Sequence, residues 1–572
     1  MNNQRPGGQV PGKQDPGDQA QGQSGELPDQ LTNRSLGKSS LIMTAGTISS
    51  RLLGLVKNSL LVAAIGATGP IADSFAVANK LPTVLYGIIA GGTINAILVP
   101  QVVAAFKRRN GERYINQLIS AGIIFSALLT VVLTLATPLL ISLYTSTITD
   151  EQRAMAVAFG FWCMPQVFFY AVYALLGQVL NARGSFGPYM WAPALNNVVA
   201  IGSIVVYLLL WQQITQGSTN PADWSGAQIA VIGGGATLGI IAQALILLIP
   251  LRANGIKLRF TMKLRGAGLT SVGNFAGWTV AGLAAAQVGM IFVSRLASSA
   301  PANAAGTTEA EVIAGNQAWD LSFLIFNLPH SLFTVSIMTA LFTRLARHVA
   351  HKQVDEVRRD YTLGLRLIAL VTFPSSVALL VLSQPAVRLL LPAATPAEVH
   401  AIGTVVSCFA LALVPFGVWS MGQRIYFAHS DARSLFFINV AMSLVMLGSL
   451  GLIRTALEPA MWVAGAALSF VLSNVVGAAW TMFGIHRRLG GYPVLRTAQL
   501  YTRLLIISVV MAGAGLLTMP LVRDLSANAL LSALIEAGIT GSVMILVFLI
   551  GLRLMRVSEL RDLISTVLRR KP

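Results

Sequence analysis

An all-α polytopic membrane protein is the fold class this sequence predicts. About fourteen transmembrane helices form two pseudo-symmetric six-helix lobes, with two further helices at the C-terminus. Three observations carry the prediction. First, 54% of the 572 residues are hydrophobic and only 11% are charged, with mean hydropathy +0.68; soluble globular chains carry about 25% charged residues. Second, apolar runs of the ~20 residues needed to cross a bilayer recur along the chain. Third, Lys and Arg gather in alternate loops, the pattern that orients membrane proteins.

Residues 1–38 are rich in Gly, Gln, Pro and Asp and contain no apolar core of a signal peptide. This composition predicts a disordered cytoplasmic tail. Spans are expected near 40–65, 73–105, 116–144, 154–180, 189–211 and 227–251, making an N-lobe over 39–251. A basic or amphipathic linker follows at 252–267. Further spans near 270–298, 315–345, 361–383, 400–427, 433–455 and 461–485 make a C-lobe over 268–487. The last two, near 500–522 and 529–554, belong to a C-terminal unit of 488–572. Gly and Pro interrupt the second and eighth spans, which predicts bends there.

Loop charge sets the orientation. Lys107, Arg108, Arg109 and Arg113 fall on one side, as do Lys257, Arg259, Lys263 and Arg265. Arg344, Arg347, Lys352, Arg358 and Arg359 share that side with Arg487, Arg488 and Arg496. The opposite loops 66–71 and 212–228 have no Lys or Arg. Both termini are therefore expected in the cytoplasm. The net charge of +18 lies mostly in these short loops, which argues for topology and anionic lipid contact and against nucleic acid. Cys163 and Cys408 are isolated in apolar runs and supply neither a disulfide framework nor a metal site.

A faint internal repeat supports two halves: the segment 81–107, beginning Leu81-Pro82, matches 328–352, beginning Leu328-Pro329. Transporters built from repeats carry their substrate path at the repeat interface.

The chemistry-bearing candidates are ionisable residues inside spans, where a charge facing lipid costs at least ~2.5 kcal/mol. Arg51 lies near mid-bilayer and shares a helix face with Asn58, seven residues on; Asp73 and Lys80 repeat that spacing. Arg51 either fixes helix packing or binds an anion through its planar fork. Lys57 either reaches the same cavity or snorkels to the interface. Asp73 reads as a helix N-terminal acid or a gate partner, and Lys80 as a cavity cation or a structural one. In the second half Asp320 and Asn327 share a face, and His330 follows Pro329. Arg424 beside Gln423 reads as topology. His348 and His351 have helical spacing but sit among Arg344, Arg347 and Lys352, and no neighbouring acid completes a metal site. There is no P-loop, nucleophile elbow or metal quartet. No enzyme activity, cofactor or metal is expected.

The segments SRLLGLVKN (50–58), ADSFAVANKLP (72–82) and GGTINAILVPQ (91–101), with the LP…TALF pattern at 328–342, resemble the MurJ/MviN family of lipid II flippases. That family belongs to the superfamily of multidrug, oligosaccharidyl-lipid and polysaccharide exporters. The resemblance implies a central cavity whose cations hold the diphosphate of lipid II. By motif position it supports Arg51, Lys57 and Asp73, with Asn58 standing where the family often has an acid; together with Lys80 these are the expected substrate-binding residues, and Asp320 and Asn327, from their shared face, the second-lobe cavity candidates. Departures from the family pattern fall at Tyr86, Gly87, Gly92, Phe323 and Leu324, so the cavity carries fewer charges. The implied function is flipping a lipid-linked peptidoglycan precursor across the bacterial plasma membrane by alternating access. The rivals are export of another polyprenyl-linked oligosaccharide, cation-coupled drug export, and a membrane glycosyltransferase. Implied partners are that precursor, membrane lipids, and cell-wall synthesis or division proteins.

Overall fold

The computed structural model describes residues 29–89, 111–215, 220–255, 258–261, 273–304, 312–523 and 525–557. Among these the regular structure is entirely helical. The first half holds α1 (Asp29–Ile65), α2 (Pro70–Ile89) and α3 (Gly111–Leu135, continued by Thr137–Tyr144). It continues with α4 (Asp150–Ala182), α5 (Gly187–Thr215) and α6 (Gly226–Ala253). The second half holds α7 (Gly273–Ala304), α8 (Asn316–Ala350) and α9 (Val354–Val381). After a short helix at Ser383–Leu390 come α10 (Pro396–Ala410 and Leu413–Ala428), α11 (Ala432–Ala456) and α12 (Trp462–Arg488). α13 (Val494–Val522) and α14 (Ala529–Leu554) close the chain.

Twelve of the described helices are long and apolar enough to span a membrane, and thirteen if α10, bent by 51°, is one span. α2 stands outside that count, diluted by Asp73 and Lys80. α1 begins at Asp29, inside the stretch whose composition predicts disorder. Beyond Pro28 nothing but Gly37 opposes helix, and an established helix adds one hydrogen bond for each residue fixed. The rest of the expected tail, residues 90–107 of the first repeat unit with Gly92, and half of the linker lie outside the described residues. Of the linker, Arg259 and Thr261 donate backbone N–H groups to Asn116 and Ser120 on α3.

The pairing of helices repeats between the halves. α1 packs on α5 as α7 packs on α11, and α2 on α4 as α8 on α10. α3 meets α4 as α9 meets α10, while α6 touches α4 and α5 as α12 touches α10 and α11. α13 and α14 pair with each other and lean on α9 and the short helix. Lipid tails are as apolar as leucine, so close packing rather than water exclusion drives this association. Each half has an aromatic centre: Phe75, Phe159, Tyr207 and Trp224 in the first, and Trp319, Phe326, Phe409 and Phe470 in the second. Offset and edge-on rings of this kind gain about 0.5–1.5 kcal/mol per pair beyond burial.

Two helices carry π-turns, and the one in α8 lies at the divide between the halves. Pro329 cannot donate within α8, and the next turn, His330–Thr334, widens into a π-helix. α6 has a matching π-turn at Ala230–Gly234. α2 passes through Pro82 as continuous helix.

Candidate functional site

Arg51 lies half-buried on α1 and crosses the divide: its Nη1 donates to Ser331 Oγ at 2.6 Å. Ser331 sits in the π-turn of α8 and donates in turn to the Leu328 carbonyl at 3.1 Å. The serine takes one guanidinium donor and neutralises no charge, so the positive charge of Arg51 is available to an anion.

Lys57, further along α1, enters a cavity of about 100 Å³ within the first half. Asn58, Asn79, Gln166, Tyr170 and Asn196 supply its polar lining from α1, α2, α4 and α5. Gln166 Nε2 donates to Asn79 Oδ1 at 3.2 Å and Thr237 Oγ1 at 3.1 Å, and Asn196 Nδ2 to Gln243 Oε1 at 3.0 Å. No carboxylate lines the cavity, and among the described residues Lys57 has no hydrogen-bond or ion-pair partner. The cavity is thus a cationic pocket walled by neutral amides. A snorkelling path to the interface is not taken.

Asp73 and Lys80 both reach α8. Asp73 is 3% exposed, and its Oδ1 accepts the Gln317 N–H at 2.8 Å. A carboxylate of α2 therefore caps the N-terminus of α8, complementing its dipole. The approach needs a glycine: a Cβ on Gly315 would stand 1.9 Å from Asp73 Oδ2. Lys80 Nζ pairs with Asp320 Oδ1 at 2.7 Å. Asp73 precedes Pro82 by the same interval at which Asp320 precedes Pro329, so the two acids occupy equivalent places in the repeat. By the same count Lys80 corresponds to Asn327, which lies half-buried two turns beyond Asp320.

Three further groups join the halves at this end. Glu398 Oε1 accepts from the Ala67 N–H at 2.9 Å and Thr68 Oγ1 at 3.2 Å, gripping the turn whose Gly66 and Gly69 have φ of +86 and +95. Its other oxygen accepts from Thr395 in the capping box of α10. Arg295 Nη1 of α7 donates to the carbonyls of Ser142, Leu143 and Thr145 at 3.1–3.2 Å, and Ser298 bonds Ser146. The T-x-x-E pattern at 395–398 signals the capping box, but nothing local signals its second grip.

The sequence-derived residues thus divide. Arg51 and Lys57 carry unneutralised charge, Asn58 lines the cavity beside Lys57, and Asp73, Lys80 and Asp320 are engaged between α2 and α8. Tyr86 stacks on Tyr170 with ring centres 5.4 Å apart, and Phe323 joins the aromatic centre of the second half. His348 does find an acid: Asp360, fully buried, lies 3.0 Å from its Nδ1 and 2.7 Å from Arg344 Nη2. α9 folds back along α8 and so brings an acid to the histidine from outside its own helix. The guanidinium occupies the carboxylate, and no metal-binding cluster occurs among the described residues.

Comparison with known proteins places these observations in a family. Residues 61–534 match the family model described as "Lipid II flippase MurJ". A probable lipid II flippase MurJ of Rhizobium meliloti (strain 1021) is 25% identical over 453 residues, covering 75% of this chain and 79% of the relative. One from Synechocystis sp. (strain ATCC 27184 / PCC 6803 / Kazusa) is 23% identical over 551 residues, covering 95% and 99%. Among solved structures, a lipid II flippase MurJ in an inward closed conformation superposes with TM-score 0.68 at 18% identity, over 92% of this chain and 100% of that one. An inward-facing multidrug resistance MATE transporter gives 0.59 at 16%, over 79% and 98%. At such identities the two superpositions speak to the fold.

Proposed function

The chain belongs to the lipid II flippase MurJ family, and on that premise we propose that it carries lipid II from the inner to the outer leaflet of a bacterial plasma membrane by alternating access. The observation that carries the mechanism is where the halves are joined. Asp73 on Gln317, Glu398 on the turn at 66–69, Arg295 on the end of α3 and Lys80 on Asp320 cluster toward the end that loop charge assigns to the outside. Arg51 on Ser331 lies deepest. This pattern supports a carrier shut on the outside, with both termini in the cytoplasm and two six-helix units, 39–251 and 268–487, as the moving bodies.

The chemistry of the substrate explains the architecture. A polyprenyl diphosphate bearing sugars and peptide has a head too polar for hydrocarbon and a tail too apolar for water. A groove between two bodies passes the head through water while the tail stays in lipid. Arg51 offers a fork for phosphate oxygens and Lys57 a mobile point charge. Asp320 holds Lys80 in the shut state; parting of the halves frees that ammonium for the diphosphate. No residue in this scheme makes or breaks a covalent bond, and none is assigned catalysis.

The test is depletion of the protein in its host, followed by an assay of which leaflet exposes lipid II. Accumulation on the inner face is the expected result. Normal leaflet distribution with stalled polymerisation overturns the flippase reading in favour of a polymerising enzyme. Normal lipid II with a different polyprenyl-linked glycan trapped inside points instead to the sister exporters.

A further inference from the structure

Three helix ends away from the divide, the start of α7, the start of α11 and the end of α12, converge on an aromatic and arginine-rich patch. Arg433 lies over the Trp278 ring at 5.7 Å and the Phe437 ring at 5.9 Å. Arg487 lies over Phe483 at 5.3 Å and Arg488 over Tyr426 at 5.1 Å. Two hollows lie here, the first of them walled by Phe437. One, of about 370 Å³, is lined by Ser434, Trp480, Phe483, Arg487 and Arg488; the other, of about 400 Å³, by Trp278, Asp431 and Arg433. The nearby acid, Asp431, is already spent: it pairs with Arg488 and caps α11 by accepting the Ser434 N–H at 3.0 Å. Arg433 and Arg487 have no carboxylate partner among the described residues, and each lies over an aromatic ring.

We infer that this patch is a binding site for the phosphate headgroup of an anionic glycerophospholipid of the inner leaflet, seated between α11 and α12. The charge fits: Arg487 lines one hollow and Arg433 the neighbouring one, so two guanidinium groups with no carboxylate partner among the described residues stand ready for a monoanionic phosphodiester. The surroundings fit a lipid rather than a soluble anion. Phe437, Trp480 and Phe483 are 46%, 47% and 61% exposed, and the exposed stripe continues along α12 through Val475, Leu472 and Leu468. From Phe483 to Leu468 that stripe runs ~22 Å, at ~1.5 Å per residue, about the reach of an acyl chain. Basic residues placed only for topology need no such cradle; a headgroup site needs both charge and an apolar wall beneath it. Placement in the inner leaflet rests on the orientation proposed above, whereas binding itself is independent of transport.

The test is native mass spectrometry of the intact, detergent-purified protein offered equal phosphatidylglycerol and phosphatidylcholine with identical chains. Wild type is expected to retain phosphatidylglycerol about fivefold or more over phosphatidylcholine, the order of one arginine at an anionic surface. Arg433→Gln with Arg487→Gln is expected to bring the ratio near one while elution and melting stay as in wild type. Should that variant fail to fold, Arg433→Lys with Arg487→Lys decides: charge survives, stacking does not, and the preference is expected to fall at least about twofold. Equal retention by wild type, or a preference untouched in the variants that fold, overturns the inference. Displacement of phosphatidylglycerol by millimolar inorganic phosphate overturns it in favour of a soluble-anion site. Displacement by a polyprenyl diphosphate overturns it in favour of a substrate site.

Discussion

Arg51 has one neutral partner and a full charge, which makes it the most exacting single-residue test. Arg51→Ala is expected to abolish complementation of a depleted strain while the protein still inserts and elutes as wild type. Arg51→Lys is expected to keep partial activity, since charge remains but the fork is lost. Full activity of the alanine variant would remove Arg51 from the site, and loss of the protein itself would make it a packing residue. The charge was legible in the sequence because an arginine ten residues into an apolar run is costly without a purpose. Its hydrogen bond to Ser331, 280 positions away, was not, since no local pattern records a contact between halves. Asp73 shows the same division: its place at a helix start was readable, but the helix it caps is α8 rather than its own. Lys57 read equally as a snorkelling or a cavity lysine, and only the packing of α1 against α2, α4, α5 and α6 decides.

Among elements, the α2–α8 contact is testable by exchanging charges. Lys80→Glu or Asp320→Lys alone should lower transport and thermal stability, and the double exchange should recover much of both. The side chains are 18% and 34% exposed, so solvent screens the pair and a coupling energy on the order of 1 kcal/mol is expected. A double variant no better than the worse single one would mean the pair is incidental. α11 offers a second test through Asp431, in the turn before it. Burial raises the Asp431 pKa, but the backbone N–H and hydroxyl of Ser434 and the Arg488 guanidinium outweigh it and hold the carboxyl below its usual 3.8. Because the folded pKa is depressed, the stabilisation is complete above the unfolded value and is lost as pH falls through the lower, folded one. Asp431→Ala should therefore melt lower than wild type at neutral pH, by a cap's worth of about 1 kcal/mol. In melting curves that gap should close only as acid takes the pH below the usual carboxylate value of 3.8 and through the lower, folded one; a gap unchanged by acid would refute the ion-pair account. Helix placement was largely legible, since each expected apolar run coincides with a described helix or bent pair, the second as far as Ile89, beyond which it lies outside the described residues. The breaks were less so: Pro329 is followed by a π-turn and Pro82 leaves α2 continuous, although both follow a leucine in the same pattern.

At the scale of the whole molecule, transport is expected to depend on the membrane potential through the charges of Arg51 and Lys57. Moving one charge through 100 mV is worth ~2.3 kcal/mol, so an inside-negative potential favours the empty, positive carrier facing inward. In sealed vesicles with the potential clamped at zero by an ionophore, net flipping is expected to slow severalfold, and ion gradients varied separately should not restore it. Undiminished flipping without potential would sever that coupling. The repeated helix pairing was foreshadowed by the Leu-Pro repeat, but the seam between the halves was not, being assembled from single residues scattered over both. That seam has one more consequence. Asp73 and Glu398 each accept a backbone N–H from the opposite half, those of Gln317 and Ala67. An amide hidden only while two bodies touch trades its hydrogen for deuterium only when they part. Exchange at Gln317 and Ala67 therefore keeps time for the opening motion itself, in a protein carrying nothing at all.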